Sequence, residues 1–375
     1  MLAPALPAAA QVAQAAQPGI GVMASAAARP APLTEFAPRP SKRTRLDYGI
    51  WNDALQNVVI YGGPSLRERA RRPKSDIGSR IVYGHTSPFR LEGNKVAFEF
   101  MGRELDGVLR DYIEDLERIA NDIDIPSLQR NEQLAFWLNL HNAMVLEGLN
   151  QAYPVSVPET YREEDGSLFH DFKRIEIDGV KLSLRDIRER IVYPNWKDSR
   201  VIYGFFHGDL GSPIIQTRAF RSDNVWILLG QSAGEFVNSL RGLDDTKKAL
   251  RVSRLYEDVA PWYFPDFEAD LRAHLADKVL DETLEDIGSL ERPIEVAKYE
   301  TVIADLTAGD GNRQPASNVE SVAGINGRAK PFGPLGRSII ERREKFQDMR
   351  ERGMTGTVII TDIVTEDEQN VEREE

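Results

Sequence analysis

The sequence predicts an α+β fold, in which a single helix-rich domain carries a small, mostly antiparallel sheet and is followed by a C-terminal extension. Three observations lead to this prediction. Apolar residues recur at helical spacing over 103–121, an almost wholly apolar segment covers 130–151, and an alternating segment turns around Asp178-Gly179. Helical spacing indicates a helix, whereas alternation indicates a half-buried strand. Asp-Gly between two alternating runs is typical of a type I′ hairpin turn.

The other elements follow from the same patterns. Ser183 is a suitable N-cap for a short helix through Arg190, and the continuous apolar run Val201–Phe206 is typical of a strand buried on both faces. The remaining predictions are strands over 79–83, 95–101, 172–177, 180–182 and 357–364, and helices near 48–58, 229–240, 266–278 and 338–352.

Composition divides the chain into four regions. Residues 1–44 form a signal remnant and a flexible Ala/Pro-rich lead, and 45–290 form the main domain. Residues 291–364 form the C-terminal extension, and 365–375 form an acidic, disordered tail.

The N-terminus resembles the end of a secretory signal. Residues 1–28 carry no charged side chain, and the small residues Ala8-Ala9-Ala10 precede Gln11. An apolar stretch before small residues is the pattern of a cleavage site, so we expect a periplasmic or secreted protein. No positively charged start is present, and we therefore expect the precursor to begin upstream of Met1. The alternative is a disordered linker at the start of a cytoplasmic protein.

Composition also excludes several classes of function. The net charge is −12, which argues against binding to nucleic acid or to an anionic membrane surface. The sequence contains no run of about 18 apolar residues, so no transmembrane segment is expected. It has no cysteine, which excludes disulfides, thiolate nucleophiles and cysteine-ligated metals.

The first candidate site is a polar network in the apolar helix. Asn139 and Asn142 share one face of that helix, and buried amides must find hydrogen-bond partners. We assign His141 and Arg200 to the same network. The network either ties the helix to residues 201–213 or lines a binding site.

The second candidate site is the loop after the apolar run. His207, Asp209 and Ser212 offer a base, a carboxylate and a hydroxyl, which are the groups of nucleophilic catalysis. The alternative is a Gly-rich turn in which Asp209 caps backbone amides. His141 and His170 could join His207 and Asp209 around a metal ion, but no metal-binding spacing is present. We therefore predict no metal and no cofactor.

Four segments, taken together, resemble family 547 of the domains of unknown function, which occurs in bacteria and plants. The resemblance covers about residues 47–280 and rests on Arg130–Ala143, Leu182–Ile187, Asp198–Pro213 and Val252–Phe267. Where the family has a histidine and two cysteines, this chain has Ile202, His207 and Ser212. The resemblance implies that any cysteine-based chemistry of the family is lost here, since an unassisted serine hydroxyl is a poor nucleophile.

Two hypotheses on function follow. In the first, the chain is an exported, non-catalytic binding or envelope-associated protein, a pseudoenzyme whose partner is an unidentified small molecule or protein. In the second, it is a divergent hydrolase or transferase that uses His207 with Asp209 or Ser212. The replaced cysteine and histidine positions favour the first hypothesis, and whether the protein is an enzyme is left open.

Overall fold

The computed structural model describes residues 29–73, 82–246, 248–297, 299–310 and 333–354, without the side chains of residues 103 and 104. Within these ranges the main helices are α1 (Gly49–Val58), α2 (Phe98–Asp122), α3 (Arg130–Ala152), α4 (Leu184–Asp186), α5 (Tyr193–Asn195), α6 (Val225–Val237), α7 (Arg254–Tyr263), α8 (Phe267–Ala276), α9 (Asp281–Ile287) and α10 (Gly333–Glu351). The strands are β1 (Val59–Ile60), β2 (Lys95–Val96), β3 (Lys173–Ile177), β4 (Val180–Ser183), β5 (Leu243–Asp245), β6 (Leu250–Val252) and β7 (Ile294–Val296).

The predicted α+β class is confirmed. The described strands pair as three short sheets, β1–β2, β3–β4 and β5–β6–β7. Every pair is antiparallel except β6–β7, which is parallel. Helices therefore supply most of the core, and the sheets lie at its margins.

Helix α3 lies at the centre of the core. Its residues are apolar nearly all round, and Leu134, Trp137 and Leu138 are fully buried. The helix packs along α2, and the Trp137 ring lies edge-on against Phe36, with ring centroids 5.4 Å apart. A helix buried on every side must also bury its polar side chains, which places Asn139 in the interior.

The β3–β4 hairpin leads directly into the helical segment that carries part of the site. Asp178 and Gly179 both have positive φ, +50° and +74°, as a type I′ turn requires. Ser183 then forms a capping box with Asp186, because the Ser183 Oγ accepts from the Asp186 backbone N–H and the Asp186 carboxylate accepts from the Ser183 N–H. The chain continues as a π-helical turn over Ile187–Val192 before α5 begins.

The predicted strand Val201–Phe206 is wrong. Residues Ser199–Gly204 form a 3₁₀ helix, whose first turn is capped by the Asp198 carboxylate accepting from the Arg200 N–H at 2.9 Å. This helix is buried between α3 and α6, and a Cβ on Gly204 would come within 2.7 Å of a methyl group of Leu138. A continuous apolar run indicates that the segment is buried on all sides, and both a buried strand and a buried helical turn satisfy this condition.

The predicted strand over 95–101 is correct only for Lys95–Val96. Helix α2 begins at Phe98 and is kinked at Gly102, which has a φ of +56°. The predicted helix 103–121 corresponds to the part of α2 after this kink. Residues 79–81 of another predicted strand, the predicted strand 357–364, the signal remnant and the acidic tail lie outside the described residues.

The described residues beyond 290 pack on the preceding chain through the β6–β7 pairing, residues 299–304 and helix α10. Residues 299–304 run along the loop after the 3₁₀ helix, where the Leu210 N–H donates to the Val302 carbonyl at 2.8 Å and the Ala304 N–H donates to the Gly208 carbonyl at 3.0 Å. Helix α10 is held by Lys345, whose ammonium donates to the Gly62 and Leu91 carbonyls. The extension thereby reaches the candidate site.

The helices of the described ranges are all too short or too polar to traverse a bilayer.

Candidate functional site

Asn139 and Asn142 fasten helix α3 to the chain that follows the 3₁₀ helix. The Asn139 amide donates to the Phe220 carbonyl at 2.7 Å and accepts from the Phe220 N–H at 3.0 Å. The Asn142 amide donates to the Gly204 carbonyl at 2.9 Å and accepts from the Phe206 N–H at 3.1 Å. Each amide therefore satisfies one donor and one acceptor of buried backbone.

His141 extends this network toward a buried arginine. Its Nδ1 lies 3.1 Å from the Asn142 Oδ1, and its Nε2 lies 2.9 Å from a guanidinium nitrogen of Arg188. Arginine only donates, so Nε2 accepts and the ring proton sits on Nδ1. Burial, and then the neighbouring Arg188 charge, lower the pKa of His141 well below its usual range. The imidazole is therefore neutral and orients the guanidinium.

Arg188 is the most unusual residue of the site. It lies on the π-helical turn and is only 6% exposed. Its other hydrogen bond goes to His170 Nδ1 at 3.4 Å, and burial lowers the pKa of His170 well below its usual range. Among the described residues Arg188 forms no ion pair, since Glu189 accepts instead from Arg185 at 3.2 Å. A buried guanidinium thus has two neutral imidazoles as partners.

A cleft of about 1000 Å³ opens at Arg188. Its polar lining includes His170, Arg188, His207, Asp209, Arg254 and Tyr299. Its apolar lining comes from α7 and the turn after it, and includes Val259, Pro261, Trp262 and Phe264. The volume is at the upper end of the range of small-molecule pockets.

His207 and Asp209 lie together in this cleft, and Tyr299 joins them. The Tyr299 hydroxyl lies 3.5 Å from the His207 Nδ1 and hydrogen-bonds the Asp209 carboxyl. Burial raises the pKa of Asp209 to about 7, although the Tyr299 hydroxyl and the Ser212 N–H oppose the shift. Burial and the nearby Arg188 lower the pKa of His207 well below its usual range. The His207 Nε2 has no hydrogen-bond partner among the described residues.

Ser212 and Arg200 have other roles. The Ser212 hydroxyl donates to the Asp209 carbonyl at 2.8 Å, its side chain is buried, and it is absent from the cleft lining. The Arg200 guanidinium pairs with Asp198 at 2.6 Å and stacks over the Trp226 ring. No hydrogen bond connects it to Asn139, Asn142 or His141. Ile202 is fully buried in the core.

The imidazoles do not form a metal site. His141 and His170 both direct a ring nitrogen at the Arg188 guanidinium. These nitrogens therefore contact an arginine side chain where a metal site would need them to face the ion. Over the described ranges, no group of three or more histidine, aspartate or glutamate side chains is arranged to hold a metal ion.

Sequence reasoning missed Arg188 and Tyr299. Arg188 carries a weak signal, because the apolar Ile191 and Val192 follow it at helical spacing and place it on the buried face. Tyr299 lies 92 residues from His207 in the chain. Only the packing of the C-terminal extension brings these two residues together.

Comparison with known proteins identifies one segment of the chain. No curated protein sequence and no solved structure significantly matches the chain. Residues 125–237 match the model of the family described as "Protein of unknown function, DUF547". The matched segment holds Asn139, His141, Arg188 and His207, whereas Tyr299 lies beyond it. This match supports the assignment of residues 125–237 to the DUF547 family.

Proposed function

We propose that this chain is a non-catalytic binding protein whose cleft holds a small molecule through an anionic group bound to Arg188. The observation that carries the proposal is the burial of a guanidinium that makes no ion pair within the described residues. Arginine stays protonated in proteins, and a buried charge is costly unless it is paired. A carboxylate or a similar anion would supply the missing pair through charge-assisted hydrogen bonds.

The surroundings of Arg188 support this assignment. His141 holds one side of the guanidinium through the chain of hydrogen bonds that starts at Asn142. The guanidinium is therefore oriented before a ligand arrives, which reduces the entropy lost on binding. Its imidazole partners are neutral, so no charge-carrying group among the described residues is hydrogen-bonded to it.

The described lining of the cleft has no thiol and no serine or threonine hydroxyl, which supports a non-catalytic role. The sequence has no cysteine, and the Ser212 hydroxyl is used by the backbone carbonyl of Asp209. The uncharged, small-residue N-terminus supports export to the periplasm or the medium. Sequencing the N-terminus of the mature protein from cell fractions tests export, and an unprocessed chain in the cytoplasmic fraction would contradict it.

Calorimetric titration of the full chain with acetate and with inorganic phosphate tests the anion site. We expect saturable binding that Arg188→Gln weakens by about 10- to 100-fold, since hydrogen bonds to a charged group contribute roughly 1.5–3 kcal/mol. Glutamine retains a donor for His141, so the variant removes the charge with little loss of packing. Arg200→Gln is the matched control, because Arg200 is paired with Asp198 outside the cleft. Equal affinities of the two variants would contradict the proposal.

A second candidate function is the hydrolase or transferase activity that uses His207 and Asp209. It is favoured by the raised pKa of Asp209, about 7, beside an imidazole with a free ring nitrogen in the same cleft. The test is release of 4-nitrophenol from its acetate ester and from its phosphate ester. This candidate predicts turnover that His207→Ala abolishes and Ser212→Ala leaves unchanged. Release at the uncatalysed rate would eliminate it for these two classes of ester.

A further inference from the structure

The cleft has a charged end and an apolar wall. The charged end is Arg188 with His170 and His207, and the apolar wall is built by Trp262 and Phe264 at the end of α7. Trp262 is half-buried, so part of its ring faces the cleft. An anion on Arg188 alone would leave this wall in contact with water.

Tyr193 joins the charged end to the apolar wall. Its ring lies edge-on to that of Trp262, with centroids 5.4 Å apart. Its phenol lies close enough to Arg188 for the two groups to interact electrostatically. Tyr193 therefore neighbours both ends of the cleft, and a molecule that lies along it can contact both.

The size of the cleft excludes a simple inorganic ion as a complementary ligand. Its volume is about 1000 Å³, whereas a water-sized group occupies about 30 Å³. Burial of apolar surface is favourable in proportion to its area. A ligand that covers the aromatic wall therefore gains affinity that phosphate or acetate does not.

The other charges of the cleft favour a single negative charge on the ligand. Glu159, Glu189 and Asp258 also line it, and each is near an arginine of the rim: Glu159 and Asp258 contact Arg254, and Glu189 contacts Arg185. Arg29 and Glu257 line the cleft as well, so its four arginines face four carboxylates besides Asp209. The described lining therefore carries no excess of positive charge that a second negative charge on the ligand could meet.

We infer that the ligand is an aromatic monocarboxylate, with its carboxylate on Arg188 and its ring against Trp262, the partly exposed residue of this wall. This inference rests on the proposed anion site and adds the apolar body and the single charge. It fits the enrichment of ligand pockets in aromatic side chains with a few polar groups that fix orientation.

Four probes test the inference on the full chain by calorimetry: 3-phenylpropionate, its amide 3-phenylpropionamide, acetate and inorganic phosphate. We expect 3-phenylpropionate to bind at least about tenfold more tightly than each of the other three. Trp262→Ala should reduce the difference in affinity between 3-phenylpropionate and acetate. Arg188→Gln should reduce the difference in affinity between 3-phenylpropionate and its amide. Trp226→Ala is the matched control, since Trp226 is also half-buried but stacks with Arg200 outside the cleft. Circular dichroism of each variant confirms that it is folded.

The outcomes separate the inference from the proposed function. If acetate and 3-phenylpropionate bind equally and both depend on Arg188, the anion site stands and the aromatic ligand is refuted. If phosphate binds most tightly, the preference for a single charge is refuted. If the amide binds as tightly as the acid, or if no anion binds, the anion site itself fails and the inference fails with it.

Discussion

Replacing Asn142 with alanine should destabilise the protein more than the same change at Asn139 or Asn150, which lie on the same helix. The amide of Asn142 bonds the Gly204 carbonyl, the Phe206 N–H and the His141 Nδ1. Alanine would leave these three groups without a partner in a site that is only 3% exposed. No water from the surface can easily replace the amide there.

The magnitude follows from the number of groups that lose their partner. Each unsatisfied buried group costs roughly 1–3 kcal/mol, so with three groups we expect Asn142→Ala to lower the free energy of unfolding by about 3–9 kcal/mol. Asn139→Ala leaves two groups without a partner, the carbonyl and the N–H of Phe220, and should cost about 2–6 kcal/mol. Asn150 is half-buried and makes only long contacts, at 3.4 and 3.5 Å, so Asn150→Ala should cost less than about 1 kcal/mol.

Urea unfolding followed by circular dichroism measures the three variants, with the free energy extrapolated linearly to water. The expected order of destabilisation is Asn142, then Asn139, then Asn150. Because these residues lie on one helix, differences in helix propensity cancel. If Asn142→Ala and Asn150→Ala agree within about 0.5 kcal/mol, the hydrogen-bond account of this helix is wrong.

Three further predictions concern the titratable groups of the cleft. The folded pKa of Asp209, about 7, lies above its ordinary value of 3.8, so the folded protein loses stability as the pH rises from about 4 to 7. Asp209→Asn should remove this loss, which amounts to about 4 kcal/mol. If the urea midpoints of variant and parent differ by the same amount at every pH, the prediction is refuted. His141, His170 and His207 should stay neutral as the pH falls from about 8 to 5.5, so their imidazole NMR signals should not titrate; a midpoint near 6.5 would contradict their burial. The affinity of the cleft for anions should fall as the pH rises through about 7, because the ionised carboxylate of Asp209 repels the ligand. In Asp209→Asn, the affinity measured by calorimetry should not fall over this pH range.

Local signals in the sequence predicted most elements around the site. The apolar helix was expected at 130–151 and is observed at Arg130–Ala152. The hairpin turn at Asp178-Gly179 and the cap at Ser183 were also predicted correctly. These features depend on residues close together in the chain, so backbone conformation and local hydrogen bonds are enough to specify them.

The errors arise where contacts between distant segments decide the structure. Val201–Gly204 belong to a 3₁₀ helix because they pack between α3 and α6, and because Asn142 accepts from the Phe206 N–H and donates to the Gly204 carbonyl at the end of this helix. The loop His207–Ser212 was recognised as polar and functional in character. Its relation to Arg188 and Tyr299 depends on tertiary packing, which no local pattern encodes.

The central claim is that Arg188 binds the carboxylate of the ligand. The most direct test is a crystal structure of the full chain with 3-(4-bromophenyl)propionate, in which anomalous scattering locates the bromine. The account predicts carboxylate oxygens about 2.7–2.9 Å from the guanidinium nitrogens of Arg188, with the bromine beside Trp262. A probe bound elsewhere, or one in the cleft with its carboxylate turned away from Arg188, would contradict the account.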